Sequence, residues 1–215
     1  MLGATGPAGS ALAVRLAAVG HEVVLGSRSA ERAEDVRAGL LELWPGRELA
    51  IGAADNAGAA AAEVVVVATP WDGAAPTVAA LAEALDGKVV ISMANALTRV
   101  GKEFQPLIPP RGSVAADVQA AVPGALVAAA FHHVPAKELG ALDHPVECDV
   151  LVCSDHPEAT SVTSALIADI PGLRALDAGR LTAAGAIESL TAVLIGMNVR
   201  YRTRLSVRLT GLPGE

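Results

Sequence analysis

Basic charge is scarce in this chain. Sixteen Lys and Arg stand against 23 Asp and Glu, a net charge of −7 over 215 residues. Binding nucleic acid requires clustered Lys and Arg to replace phosphate counterions, so nucleic acid is excluded as the main partner. Long apolar runs are also missing. Apolar residues make up 52% of the chain, yet no run approaches the ~20 uninterrupted residues of a membrane span. The alanine-rich window 57–68 contains Glu63 and is stopped by Pro70. The hydropathy is therefore that of alanine and buried strands, and no membrane partner is expected. Cysteine is limited to Cys148 and Cys153, five apart in a strand-like segment. They read as buried small hydrophobes in a reducing cytoplasm, with no disulfide and no metal site. No basic segment followed by an apolar one suggests export, and the expected location is the cytoplasm. There is no G-x-S-x-G elbow, no H-E-x-x-H and no zinc-binding cysteine set, which removes the common hydrolytic constellations.

Glycine is plentiful at the start, in Met1-Leu2-Gly3-Ala4-Thr5-Gly6-Pro7-Ala8-Gly9. Three glycines at three-residue spacing lead into residues 10–19, whose pattern predicts a helix. Such a turn brings backbone N–H groups and the positive end of the helix dipole against a pyrophosphate. Gly3 allows the tight turn, Gly6 the approach of phosphate and Gly9 the packing of helix on sheet. Pro7 removes one N–H donor from this turn. A dinucleotide fold places about five strand residues before its glycine turn, and this chain has only Met1 and Leu2 there, so the first strand reads as truncated, the alternative being an unusually short strand.

The segment 21–28 follows as a short strand, completing β-turn-α-β in the spacing of a mononucleotide-binding half. At its end an NAD site carries Asp or Glu for the ribose 2′-hydroxyl. Here stand Ser27 and Arg28, with Arg32 one helical turn further on. A guanidinium and a hydroxyl suit a 2′-phosphate, which indicates NADP; the alternative is an ordinary charged helix start. Further along, Val64-Val65-Val66-Val67 is a buried parallel strand that ends in Pro70-Trp71. Strands at 88–92 and 126–131 follow, with exit loops carrying Asn95 and His132 to Ala136. The alternation predicts an α/β chain, a Rossmann-type doubly wound parallel sheet with a smaller C-terminal α/β module. The expected division is 1–138 for NADP binding and 139–215 for the smaller module. In that module 148–153 reads as a strand, 187–200 as a long helix and 204–209 as an edge strand.

His132 is the candidate for a cleft contact or, alternatively, for proton transfer. His133 points elsewhere, so the pair is no metal clamp, and no metal site is expected. Glu188 and Ser189 either support a ligand cleft or cap a helix. The lack of a clear acid or base has its own meaning: with NADP as cofactor, direct hydride transfer between two ring systems needs positioning more than proton chemistry. No catalytic side chain is therefore assigned.

These segments taken together resemble the NADPH-dependent F420 reductases, or F420H2:NADP oxidoreductases. The resemblance rests on Gly3-Ala4-Thr5-Gly6 with Gly9, Gly20-His21-Glu22-Val23-Val24, Gly26-Ser27-Arg28, Thr69-Pro70-Trp71, and His132 with Pro135-Ala136. It continues through Gly172-Leu173-Arg174, Leu176-Asp177-Ala178-Gly179 and Glu188-Ser189-Leu190-Thr191. It implies reversible hydride transfer between C5 of the deazaflavin F420 and C4 of the NADP nicotinamide, and a homodimer or larger homo-oligomer. It further implies that Thr5, Gly6, Pro7 and Ala8 hold the pyrophosphate, and that Ser27, Arg28 and Arg32 hold the 2′-phosphate. Trp71, Asn95 and Ala136 would line the nicotinamide and deazaflavin, with 139–215 completing the F420 cleft. Arg200, Arg202, Arg204 and Arg208 are the densest basic cluster and the candidate seat of the acidic F420 tail. The competing readings are another NADP-dependent reductase of this fold, acting on imines or on ferric or flavin partners, and a non-catalytic NADP-binding sensor.

Overall fold

The computed structural model describes residues 1–212. In chain order the first half runs α1 (Pro7–Ala18), β1 (Val23–Ser27), α2 (Ala30–Leu43), β2 (Ile51–Asp55), α3 (Asn56–Ala59) and β3 (Val64–Val67). It continues through α4 (Trp71–Ala79), α5 (Ala82–Leu85), β4 (Val89–Ser92), the hairpin β5 (Leu97–Val100) and β6 (Glu103–Pro106), and α6 (Val114–Ala121). The remainder is β7 (Leu126–Ala129), α7 (Ala136–Leu139), β8 (Cys148–Ser154), α8 (Pro157–Ala168), β9 (Leu173–Asp177), a 3-10 turn (Leu181–Ala183) and α9 (Ala184–Tyr201).

β1 and β2 pair in parallel, and a second sheet runs β3-β4-β7-β8-β9. The first four residues join them. Leu2 N donates to Val66 O and Ala68 N to Leu2 O on one side, at 2.7 and 2.9 Å. Gly26 N donates to Met1 O and Ala4 N to Gly26 O on the other, at 2.8 and 3.0 Å. This minimal strand is fully buried at Leu2, and it occupies the central position that the sequence left nearly empty. Counting it as the first strand gives the 3-2-1-4-5-6 order of a doubly wound dinucleotide fold. β7 and β8 run antiparallel, while β8 and β9 are parallel to each other. The segment after 138 thus continues the same sheet; its last three residues lie outside the described ones.

The pleat divides the strand residues between two cores. Val66, Ile91 and Ala128 belong to a cluster with Leu12, Leu16 and Ile167 from α1 and α8. Val65, Val67, Val90, Val127 and Ala129 face the other way, against Val78, Val118 and Ile187 from α4, α6 and α9. Period-two alternation with both faces covered explains the unbroken valine run. α1 lies close because its contacting residues are small: a Cβ on Gly9 would stand 2.8 Å from Ala4 Cα and 2.9 Å from Ala68 Cβ.

Several elements differ from expectation. β5, β6, α7 and β9 form where no strand or helix was expected. The 204–209 segment forms no strand. It is held by side chains instead: the buried carboxylate of Asp149 accepts from Arg174, Arg208 and Leu209 N at 2.6–2.8 Å. Those donors hold its carboxyl well below the usual carboxylate range.

Glu188 docks α9. It is buried, and its two oxygens accept from Val114 N and Ala115 N, at 2.9 and 3.2 Å. It thus caps the N-terminus of α6, a neighbouring helix. Burial pushes its carboxyl up to about 7, partly offset by the two amide donors. The folded chain therefore binds the Glu188 proton more tightly than the unfolded chain, and stability present below pH 4.5 is lost as pH rises through 7. The loss should be about 3 kcal/mol for this group. Urea unfolding across that range should show the wild type losing that much more stability than Glu188→Gln; parallel pH profiles would contradict this role.

Candidate active site

The carboxyl ends of the first strand, β1 and β3 open on a cleft of about 810 Å³. It lies where the strand order reverses, the position at which open α/β sheets bind ligands. Gly3, with φ +63°, makes the turn out of the first strand and donates its N–H to Asn56 Oδ1 at 3.1 Å. A Cβ there would collide with Thr69 Cγ2. Gly6 is the N-cap of α1, in extended conformation, and Pro7 occupies the first helical position. Proline suits that place because its missing N–H has no helical acceptor in any case. The first helical bond is Ser10 N to Gly6 O, 2.9 Å. Ala8 and Gly9 in the first turn therefore have no intrahelical carbonyl to meet and remain available to a ligand anion.

Of the residues singled out in the sequence, Gly3, Thr5, Gly6, Pro7, Ala8, Gly9, Ser27, Arg28 and Arg32 line this cleft. Ser27 is buried at the end of β1, and Arg28 and Arg32 are exposed at the rim. Ser29 caps α2 by accepting from Arg32 N at 3.4 Å. The acid beside Ser27 in the ladder, Asp55, is engaged by Gly58 N at 2.7 Å and caps α3. This end of the cleft thus carries two guanidiniums and two hydroxyls, a donor set that suits a phosphate dianion.

The groups expected to line the ring end are placed differently. Trp71 opens α4 and packs against the second core cluster, outside the cleft lining. The Asn95 carboxamide turns inward, its Nδ2 donating to His132 O at 3.0 Å and its Oδ1 accepting from Thr191 at 3.1 Å. Thr191 also reaches His132 O, at 3.0 Å. Asn95 therefore ties the exits of β4 and β7 to α9. Ala136 begins α7 and packs on the first core cluster. All four, His132 included, stand on exits of β3, β4 and β7, at the same sheet edge as the cleft.

His132 is buried, and neither ring nitrogen has a partner. Burial, helped by His133, lowers its pKa to about 3. It is a neutral imidazole at working pH, able to give one hydrogen bond and take one, and it is no proton carrier. His133 Nε2 meets Asp149 O at 2.8 Å; since a carbonyl only accepts, that nitrogen holds the hydrogen. Just before the pair, buried Phe131 has φ +66°, a left-handed conformation that costs a non-glycine residue about 1–2 kcal/mol. Two of the four C-terminal arginines are already neutralised. Arg204 meets Glu138 at 2.7 Å, and Arg208 meets Glu147 and Asp149, both at 2.8 Å.

Sequence reasoning missed Ser29, Asn56, Asp72, Gly73, Thr77 and the Thr69 side chain, all of which line the cleft. Thr69 Oγ1 is buried with no partner among the described residues, an exception to the rule that buried polar groups are paired. Gly73 and Thr77 lie one turn apart on α4. The signal for these residues is position: they follow the carboxyl ends of β1, β2 and β3. Among the described residues no His, Cys, Asp and Glu cluster could hold a metal.

Fold and cleft together define a dinucleotide-binding oxidoreductase scaffold. A family model described as "NADP oxidoreductase coenzyme F420-dependent" matches residues 1–96. The chain is 37% identical over 218 residues to the F420-dependent NADP reductase of Methanocaldococcus jannaschii, covering 99% of this chain and 97% of that protein. It therefore belongs to the F420-dependent NADP reductase family. A crystal structure from Arthrobacter sp. FB24, assigned as an F420-dependent NADP-reductase, superposes with a TM-score of 0.80 at 25% identity, covering 95% of this chain and 96% of that one. A pyrroline-5-carboxylate reductase from Coxiella burnetii shares the fold alone, at 13% identity and TM-score 0.60, with 92% of this chain and 64% of that one covered.

Two of the cleft glycines, Gly6 and Gly9, separate fold from binding. A Cβ on Gly6 meets nothing within 4 Å and projects into the cleft, whereas one on Gly9 meets backbone. Gly6→Ala should leave the unfolding free energy within about 0.5 kcal/mol of wild type while weakening NADPH binding about tenfold. Gly9→Ala should cost about 1–3 kcal/mol of stability as well. Calorimetry and NADPH titration of both variants check this; unweakened binding in Gly6→Ala would remove the phosphate from the turn.

Proposed function

We propose that the cleft seats NADP(H), pyrophosphate on the amides of the glycine turn and 2′-phosphate on Ser27, Arg28 and Arg32. On this reading the chain acts as an F420-dependent NADP reductase, passing a hydride reversibly between the nicotinamide and F420. The observation that carries it is the convergence, in one cleft, of the orphan amides of α1 and two unpaired arginines at the end of β1. F420, when bound, supplies a ring carbon that accepts or returns the hydride. The chain itself binds, orients and excludes water. Among the described residues no side chain at the sheet edge carries a proton to the reacting carbons, and His132 stays neutral. The hydride passes between the aligned rings, and the one proton that reduction of F420 also consumes goes to a ring nitrogen from water.

Residues 1–138 then form the NADP-binding part and 139–215 the wall that completes the F420 seat. Ala136, the neutral His132 ring and the unpartnered Thr69 hydroxyl are the groups assigned to the ring end. Two free cysteines, both buried, suit a reducing cytoplasm.

The partner assigned to α9 is a second copy of this chain. Residues 181–201 are long and apolar enough to cross a membrane by length and composition, with only 28% of the apolar window buried in the chain. The inner face is committed to the fold through Ile187, Glu188 and Thr191. Val193, Met197 and Tyr201 form an exposed stripe at four-residue spacing, beside the β5–β6 hairpin with its exposed Val100 and Phe104. Sedimentation should give a dimer that Val193→Lys with Met197→Lys turns into a monomer; a monomeric wild type, or vesicle binding by α9, would overturn it.

Mixing the protein with NADPH and oxidised F420 should bleach the deazaflavin absorbance, and no bleaching by folded protein would refute the activity. Arg28→Ala should raise KM for NADPH about 10- to 100-fold, the worth of a charge-assisted bidentate contact, and leave KM for NADH nearly unchanged. An equal effect on both cofactors would show that Arg28 does not read the 2′-phosphate.

A further inference from the structure

Arg15 lies in the middle of α1, two turns beyond the phosphate turn, with only 4% of its surface exposed. Among the described residues it has no carboxylate partner. Its guanidinium instead meets four backbone carbonyls: Nε to Leu139 O at 2.8 Å, Nη1 to His144 O at 3.2 Å, and Nη2 to Glu138 O at 3.0 Å and Ala141 O at 2.6 Å. Three of these oxygens lie at or just past the C-terminus of α7, where carbonyls outnumber backbone donors; Glu138 O also accepts from Ala141 N, at 3.2 Å. The Glu138 carboxylate turns away, to Arg204 at 2.7 Å and His144 at 3.3 Å. The charge of Arg15 is therefore balanced by oriented carbonyls alone, and only a rigid fork of donors satisfies four of them at once. Beside this clamp Gly140 lies directly on α1; a Cβ there would come within 3.3 Å of Ala11 Cβ and 3.5 Å of Ala136 O.

We propose that Arg15 is a positioning residue for hydride transfer, fixing the β7 exit loop and α7 against the helix that carries the NADP turn. α1 begins on the phosphates, and α7 begins at Ala136, immediately after His132–Pro135. One side chain thus sets the separation of the two ring seats, which ladder bonds leave unspecified because α7 belongs to no strand. Hydride transfer needs the reacting carbons within a few tenths of an ångström of contact, so a loosened α7 costs rate and F420 affinity while the phosphate site stays intact. This inference rests on the assignment of residues 132–136 to the F420 seat.

Arg15→Lys keeps the charge and the stem but cannot hold four carbonyls; Gly140→Ala wedges α7 off α1 without touching the charge. Ala136→Leu tests the seat itself. For each folded variant the readouts are Kd for oxidised F420 by equilibrium dialysis without NADPH, Kd for NADPH, and amide exchange at Leu139 and Gly140. Those two amides donate to Pro135 O and Ala136 O, at 2.9 and 3.0 Å. Arg15→Lys should weaken F420 binding about tenfold, change NADPH binding less than about twofold, and speed exchange at both amides. Gly140→Ala should shift F420 binding in the same direction. If Ala136→Leu weakens F420 binding while Arg15→Lys and Gly140→Ala do not, Arg15 only stabilises the fold and the proposal fails alone. If NADPH binding falls as much as F420 binding, α1 itself has been damaged and the proposal is overturned. If none of the three variants alters F420 binding, the seat is misassigned and the proposal falls with it.

Discussion

Four residues at the start of the chain hold the two halves of the sheet together. Met1 to Ala4 present ladder groups on both sides, to Val66 and Ala68 of one sheet and to Gly26 of the other. Leu2 is wholly buried between them. Without this short strand β1–β2 and β3–β9 would share only helix packing, and the glycine turn would have no fixed origin. Its brevity also places the turn early. Gly3 leaves the sheet at φ +63° directly against Thr69, so the phosphate loop and the β3 exit meet at the topological switch point.

The chemistry inherits this geometry. Small residues dominate where α1 meets the sheet, which brings first-turn amides close to the cleft floor, and α2 opens beside them with Ser29 and two arginines. The ring end is built from loops that are cross-tied: Thr191 and Asn95 on the His132 carbonyl, and Arg15 on the end of α7. The site holds its loops with buried hydrogen bonds, and the histidine at its ring end, His132, is held neutral. A reaction that moves a hydride between two bound rings fits such a site better than one that needs a proton relay.

What could be read in the sequence was what local patterns encode. The glycine spacing and the valine run each sit within one turn or strand, and they form the helix start and the buried strand that their patterns imply; the Ser27-Arg28 pair stands at the end of β1, where its spacing put it. Residues that act across the fold left no local trace. Arg15 stands within the predicted first helix with no motif around it, yet it meets carbonyls more than 120 residues away. Glu188 suggested either a ligand cleft or a cap, and it caps a helix 73 residues earlier. Asn95 stood on the expected edge, but its carboxamide serves the neighbouring exit. β9, with Arg174 amid Leu173, Ala175 and Leu176, read as a connection between two glycine turns; it becomes a strand because β8 pairs with all five of its residues. Asp149 likewise needed its long-range arginines to be understood.

The central claim is that the chain aligns two rings and lets a hydride pass directly, with no side chain handling a proton at the reacting carbons. NADPH deuterated at C4, prepared as each of the two epimers, can be oxidised by F420 in ordinary water and the reduced deazaflavin examined by mass spectrometry and NMR. One epimer should deliver its deuterium to C5 in full, and the other should deliver none. Deuterium appearing in the solvent, or hydrogen from water at C5, would show that a protein group intervenes and would contradict the account.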